Sequence, residues 1–195
     1  MLQLLRQPPI TLDDAFLVAH EMGHVIKYFD KQYIEFKKAP TPIAQLYKDE
    51  EIREMCGKLG SMFDDPLIDS FLQDKYHFNP ARFYTNVLIP DTIESLNSYG
   101  DSPYEWHIFK KALFYSQFSL QWDSITDIDA LHEWDKLKEQ YKIRRPITAK
   151  IGEELYSMSK EIGYDKIEKQ RQLCGKIFNN YRIKSIKLGD IVNMD

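Results

Sequence analysis

Two histidines four residues apart, His20 and His24, stand in the stretch LVAHEMGHVI, with Glu21 directly after the first. On a helix, residues i and i+4 project from one face one turn apart, so the two imidazoles can point at a common centre. That spacing suits a tetrahedral zinc ion bound at about 2.0–2.1 Å. Glu21 falls on the adjacent edge. It is too close in sequence to be a comfortable third ligand, but is placed to take a proton from a water that the ion activates. Outside these three residues the stretch from Leu17 to Ile26 is uncharged, as expected of a helix buried under an active-site floor. Gly23 costs about 1 kcal/mol of helix propensity relative to Ala, which predicts that something packs closely against it. The competing expectation is a buried helix whose histidines are satisfied by core hydrogen bonds.

The pattern is HExxH, and at these ten residues the chain resembles the zincin metallopeptidases. The resemblance implies one zinc ion per chain, a peptide or protein substrate, and hydrolysis with Glu21 as general base. A catalytic zinc takes three protein ligands and leaves a fourth position open. The longer metzincin pattern is absent, because residue 27 onward reads KYFDKQ with no third histidine in place. What remains resembles the gluzincin arrangement, in which a carboxylate on a later helix completes the site. A second acid one turn further on orients the first histidine. In DPLIDSFL the residues in those roles are Asp65 as ligand and Asp69 as acceptor from a ligand imidazole N–H. Gluzincins use glutamate, so aspartate shortens the reach.

The competing expectation makes Asp65 a helix cap and Asp69 a first-turn charge. Asp64 and His77 are alternative ligands. Glu50, Glu51 and Glu54 lie at a family-like separation from His24 but in a charged setting, and Glu94 is a more distant candidate. A looser similarity reaches the compact intracellular metallopeptidases of phage-immunity and radiation-response regulators, through the HExGH helix, small size and the run ARFYTNVLIP. A strict alignment to them sets His77 where their glutamate belongs. His77 could also serve as an oxyanion donor. His107 and His132, beside Trp106 and Trp134, read as surface or core residues. Tyr84 and Tyr104 are candidate transition-state donors, with 12 tyrosines to choose among.

The elements that must hold these residues are mostly helices. Thr11 is a good N-cap for a first helix from 11 to 29, with Asp13 and Asp14 in its first turn. A looser stretch with Pro40 and Pro42 leads to a second helix over about 43–59, closed by Gly60. Asp65-Pro66 then announces a third. NPARFYTNVLIP is the best candidate for an extended segment, being rich in aromatic and β-branched residues between prolines. Helices are expected again over about 91–98, 103–120, 130–141, 147–162 and 166–181, and the tail IKSIKLGDIV reads as a short strand. The fold class is therefore mainly α, or α+β with a small sheet at most. The resemblance implies that residues 1–195 make a single zincin-like domain, with a metal-site region over about 1–100 and a helical extension over about 101–195. Only ten residues precede the motif helix. The substrate-binding sheet usual before it in zincins must come from later in the chain or be missing.

The composition, 43% hydrophobic and 29% charged over 195 residues, is that of a globular domain. A net charge of −4 offers no basic excess for phosphates, so nucleic acid is not an expected partner. No run of about 18 apolar residues suggests a membrane span, and MLQLLRQPPI holds no signal-peptide core. Cys56 and Cys174, far apart and without CxxC spacing, read as two free thiols in a reducing, cytoplasmic setting. Two functions are compatible with this pattern: a zinc peptidase, or a helical binding or regulatory module that keeps a zincin-like core without turnover.

Overall fold

The computed structural model describes residues 11–29, 32–98 and 105–193. The stretch read against a signal peptide, residues 1–10, and Tyr104 lie outside the described residues. So does the expected helix start at position 103. The chain runs α1 (Leu12–Phe29), β1 (Gln32–Lys38), α2 (Pro42–Gln45), α3 (Asp49–Tyr76), α4 (Pro80–Phe83) and a π-helical turn (Tyr84–Leu88). It continues through α5 (Ile89–Ser98), α6 (Glu105–Trp122), α7 (Ile128–Arg144), α8 (Pro146–Ile162), α9 (Ile167–Asn180) and β2 (Ile186–Asn193). The architecture is mainly helical with one small antiparallel sheet, as the sequence led one to expect. Among the described residues no helix is long and apolar enough to cross a membrane.

Thr11 caps α1 as its side chain predicts. Its Oγ1 accepts from the Asp14 amide at 3.1 Å, and its own amide donates to Asp14 Oδ2 at 2.8 Å. The tail strand also forms, but its partner β1, QYIEFKK, falls in the stretch read as loose. The two strands pair from Gln32↔Asn193 to Lys38↔Ile186, with a bulge between Ile34 and Phe36. There Glu35 faces both Gly189 and Asp190. A Cβ on Gly189 would lie 2.8 Å from the Glu35 carbonyl oxygen, so the bulge requires glycine at that position.

Two sequence expectations are corrected. Gly60 does not close a helix and Asp65-Pro66 does not open one: α3 runs unbroken for 28 residues with Pro66 inside it. An interior proline removes one hydrogen bond and costs about 3 kcal/mol. Burial on both sides of the proline outweighs that cost, through Leu59, Met62 and Phe63 before it and Ile68 and Leu72 after it. The segment NPARFYTNVLIP is helical rather than extended. Asn79 caps α4 by accepting from the Ala81 amide at 2.9 Å, and Pro80 takes the first helical position, where a missing N–H is harmless. Strand propensity spans only about 1 kcal/mol, and such a cap outweighs it. The π-helical turn arises just before Pro90, where the ring would clash with a carbonyl one turn back and the wider turn relieves it.

α6 is the central helix, packed against α8 on one side and α3 on another. One core cluster gathers the first half of α3 with Leu113, Leu155, Leu173 and the inward strand residues Ile34 and Ile186. The other gathers Phe16 of α1 with Ile68, Leu72, Tyr84, Phe118 and Trp134. The motif helix thus packs on the second half of α3.

Candidate metal centre

His20 and His24 come from α1, Asp65 and Asp69 from α3, and all four side chains meet where the two helices cross. Gly23 explains how closely the helices approach. A Cβ there would lie 2.5 Å from Cγ2 of the buried Ile68, so only a glycine lets α1 settle. Gly23→Ala gains helix propensity but forces α1 off a β-branched side chain that cannot swing away, and overpacking costs about 1–3 kcal/mol. Uptake of a titrated divalent cation between the two helices, measured by calorimetry, is expected to fall, and Ile68→Ala in the same chain should restore part of it.

His20 Nε2 and His24 Nε2 are 3.1 Å apart. Asp65 Oδ1 lies 3.3 Å from His24 Nε2 and 4.0 Å from His20 Nε2. Three ligands of a tetrahedral zinc at 2.0–2.1 Å are separated by about 3.3–3.4 Å; two edges of this triangle lie near that length, and the third, from Asp65 to His20, must shorten from 4.0 Å for such an ion to be held. Among the described residues these three are the group of histidine and carboxylate side chains close enough to hold an ion.

Asp65 Oδ1 is buried and has no hydrogen-bond partner. Leaving a charged acceptor unsatisfied is costly, and a cation between it and the two imidazoles removes that cost. Asp65 is not a helix cap, because it sits mid-helix with its other oxygen, Oδ2, accepting from Gln117 Nε2 at 2.7 Å. Asp69, 1% exposed, accepts from His20 Nδ1 at 2.6 Å. That contact sets the tautomer in which Nε2 of His20 presents its lone pair. Burial works against protonating His20. The hydrogen bond and charge of Asp69, with Asp65 and Glu21 adding to them, outweigh burial and raise its pKa. The pocket therefore attracts positive charge.

Glu21 is exposed at the rim, one position round the helix from His20. α1 is not buried all round, as its uncharged sequence suggested: Leu17, Met22, Val25 and Ile26 are exposed. One side of the helix packs on α3 and the opposite side is open.

The alternative ligands lie elsewhere. His77 caps the C-terminus of α3 in a left-handed conformation, φ 57, about 18 Å along the helix from Asp65. It cannot replace Asp65 or reach a bound carbonyl. Asp64 is turned about 100° round the helix from Asp65, outside the ligand group. Glu51 accepts from the Lys48 amide at 2.7 Å, Glu54 pairs with Lys110 at 2.8 Å, and Glu50 and Glu94 are exposed. His107 and His132 are also exposed.

Tyr84 is corrected from a candidate transition-state donor. It is 1% exposed and its hydroxyl donates to Asp69 Oδ2, so it holds the acid that holds His20. Burial, with the Asp69 charge beside it, pushes its phenol well above the ordinary range.

Gln117 and Gln121 were not singled out in the sequence. Both are buried on α6, and Gln121 Nε2 donates to Asp69 Oδ2 at 2.6 Å. A signal was available: two glutamines four apart in LFYSQFSLQW match the Asp65–Asp69 spacing. No family model, curated protein or solved structure matches this chain.

Proposed function

We propose that the chain is a zinc-dependent peptidase in which His20, His24 and Asp65 hold one ion and Glu21 is the general base. The observation that carries this reading is the unsatisfied, buried Asp65 Oδ1 facing two Nε2 atoms, 3.3 Å and 4.0 Å away. When bound, zinc supplies Lewis acidity, polarising a scissile carbonyl and making a water acidic enough to lose a proton near neutral pH.

The chain's own residues do the rest. Asp69, held by Tyr84 and Gln121, orients His20, while Gln117 orients Asp65. The Glu21 carboxylate, exposed at the rim, takes the proton from water and returns it to the leaving amine. The substrate is a peptide or protein segment lying across the open side of α1, where Leu17 and Val25 flank Glu21. Two free thiols, Cys56 and Cys174, support a cytoplasmic setting.

Purified protein is expected to carry about one equivalent of zinc by elemental analysis. It should cleave unfolded polypeptide, lose that activity with a chelator and regain it with zinc. Protein that takes up no zinc, or cleavage indifferent to chelation, would overturn the proposal.

A second reading has one observation behind it. Zincins set a sheet beside the motif helix to bind extended substrate. Here the inward strand residues Ile34 and Ile186 pack in the core cluster that does not contain Phe16 of α1. A chain that holds zinc yet cleaves nothing in a peptide library would be a metal-bearing regulatory or binding module.

A further inference from the structure

α3 presents two aspartates four residues apart, and α6 meets them with two glutamines four residues apart. Each glutamine takes one oxygen of one aspartate and leaves the other for a histidine. Gln121 Nε2 holds Asp69 Oδ2 at 2.6 Å while Asp69 Oδ1 accepts from His20. Gln117 Nε2 holds Asp65 Oδ2 at 2.7 Å while Oδ1 faces His24 Nε2 at 3.3 Å.

At Gln117 only the amide nitrogen is engaged. Its Oε1 is buried without a partner, so the orientation of the amide is dictated by Asp65. Gln117 is 7% exposed, and a nitrogen released there would have no water to turn to.

We propose that Gln117 is a positioning residue that keeps Asp65 a one-oxygen ligand, and so selects a four-coordinate, zinc-like cation over cations that gather six or more oxygens. The proposal rests on the reading that His20, His24 and Asp65 hold a metal. Calcium takes six to eight oxygens, often with a carboxylate in two-oxygen contact, and manganese prefers an octahedral, oxygen-rich shell. Zinc in a three-residue site is satisfied by one oxygen and a tetrahedron. For Asp65 to give both oxygens to a larger ion, the carboxylate must turn on its bond, drawing Oδ2 off its 2.7 Å line to Gln117 and weakening the one hydrogen bond of a buried donor. Binding of the larger ion bears that cost, and binding of zinc does not.

The test uses the full chain, Gln117→Met (similar in length, with no donor) and Gln121→Met as its control. Each protein is titrated with Co2+, Zn2+ and Mn2+ separately, and its melting curve recorded. Wild type is expected to give the intense visible absorption of four-coordinate Co2+. Gln117→Met should give the weak bands of a higher-coordinate ion, with Zn2+ affinity down by about 10- to 100-fold and Mn2+ affinity unchanged or higher. Gln121→Met should weaken every ion alike and leave the Co2+ spectrum tetrahedral.

An unchanged spectrum and unchanged metal preference in a folded Gln117→Met protein would overturn the inference. So would equal spectral change in both variants. If Gln117→Met does not fold, the structure of zinc-loaded wild type decides: Asp65 Oδ2 still on Gln117 supports the inference, and both oxygens on zinc overturn it. Wild type that binds neither Co2+ nor Zn2+ would remove the metal site itself, a separate failure seen before any variant is made.

Discussion

Glu21→Gln is expected to lower kcat/KM for peptide hydrolysis by about 10²–10⁴-fold, the range that a positioned general base contributes, while one equivalent of zinc stays bound. The two halves of this result have different structural causes. Glutamine has almost the same shape as glutamate but cannot take up a proton, so proton transfer is removed with little change in packing. Glu21 is exposed and belongs neither to the ligand triangle nor to the Asp69 network, so the ligand set and the fold stay intact, and loss of its charge beside His20 weakens the ion's hold only modestly. The measurement is a paired one, elemental analysis and initial rates on the same preparation. Full activity in the variant would remove Glu21 from the mechanism. Loss of zinc together with the fold would show that the residue supports structure.

His24→Ala is expected to abolish the stabilisation that zinc gives, with little change in the apo protein. His24 is the most exposed of the three ligands, its side chain 34% accessible, so truncation leaves little void. A ligand that binds only the folded state adds RT ln(1 + [L]/Kd), about 4.1 kcal/mol at a thousandfold excess over Kd. For a chain of this size that corresponds to roughly 8–16 °C in Tm. Wild type should show that rise in a zinc titration, and His24→Ala should show almost none. An equal rise in both proteins would mean that zinc binds elsewhere.

These results separate the site from a coincidence of sequence, because a helix with two core histidines predicts neither. The packing also argues against that coincidence. Core histidines hydrogen-bonded to neighbours would not leave Asp65 Oδ1 buried and unmatched. The 3.1 Å contact between the two Nε2 atoms is also the length of an imidazole–imidazole hydrogen bond, so the atom that sets the site apart is Asp65 Oδ1.

The sequence by itself determined what depends on neighbours within a turn or two. His20, Glu21 and His24 share a helix because Thr11 caps it and its apolar positions repeat with helical period. Gly23 announced a close approach without naming Ile68 as the partner. Asp65 and Asp69 were legible as a pair on one helical face, and the tail as a strand.

Only the tertiary structure decided where those faces point and what meets them. Local signals at Gly60 and Asp65-Pro66 read as the end and start of helices. Yet α3 continues through both, because residues far away in the chain bury the side chains around the break. NPARFYTNVLIP carried strand composition but had no strand to pair with, so its asparagine cap and core-facing Tyr84 made it helical. β1 was illegible because a strand of alternating polar residues forms only when β2, about 150 residues later, supplies its hydrogen bonds. Gln117 and Gln121 went unread for the same reason. A glutamine joins the candidate site only when a distant aspartate lies within 3 Å of it, and long-range packing sets that distance.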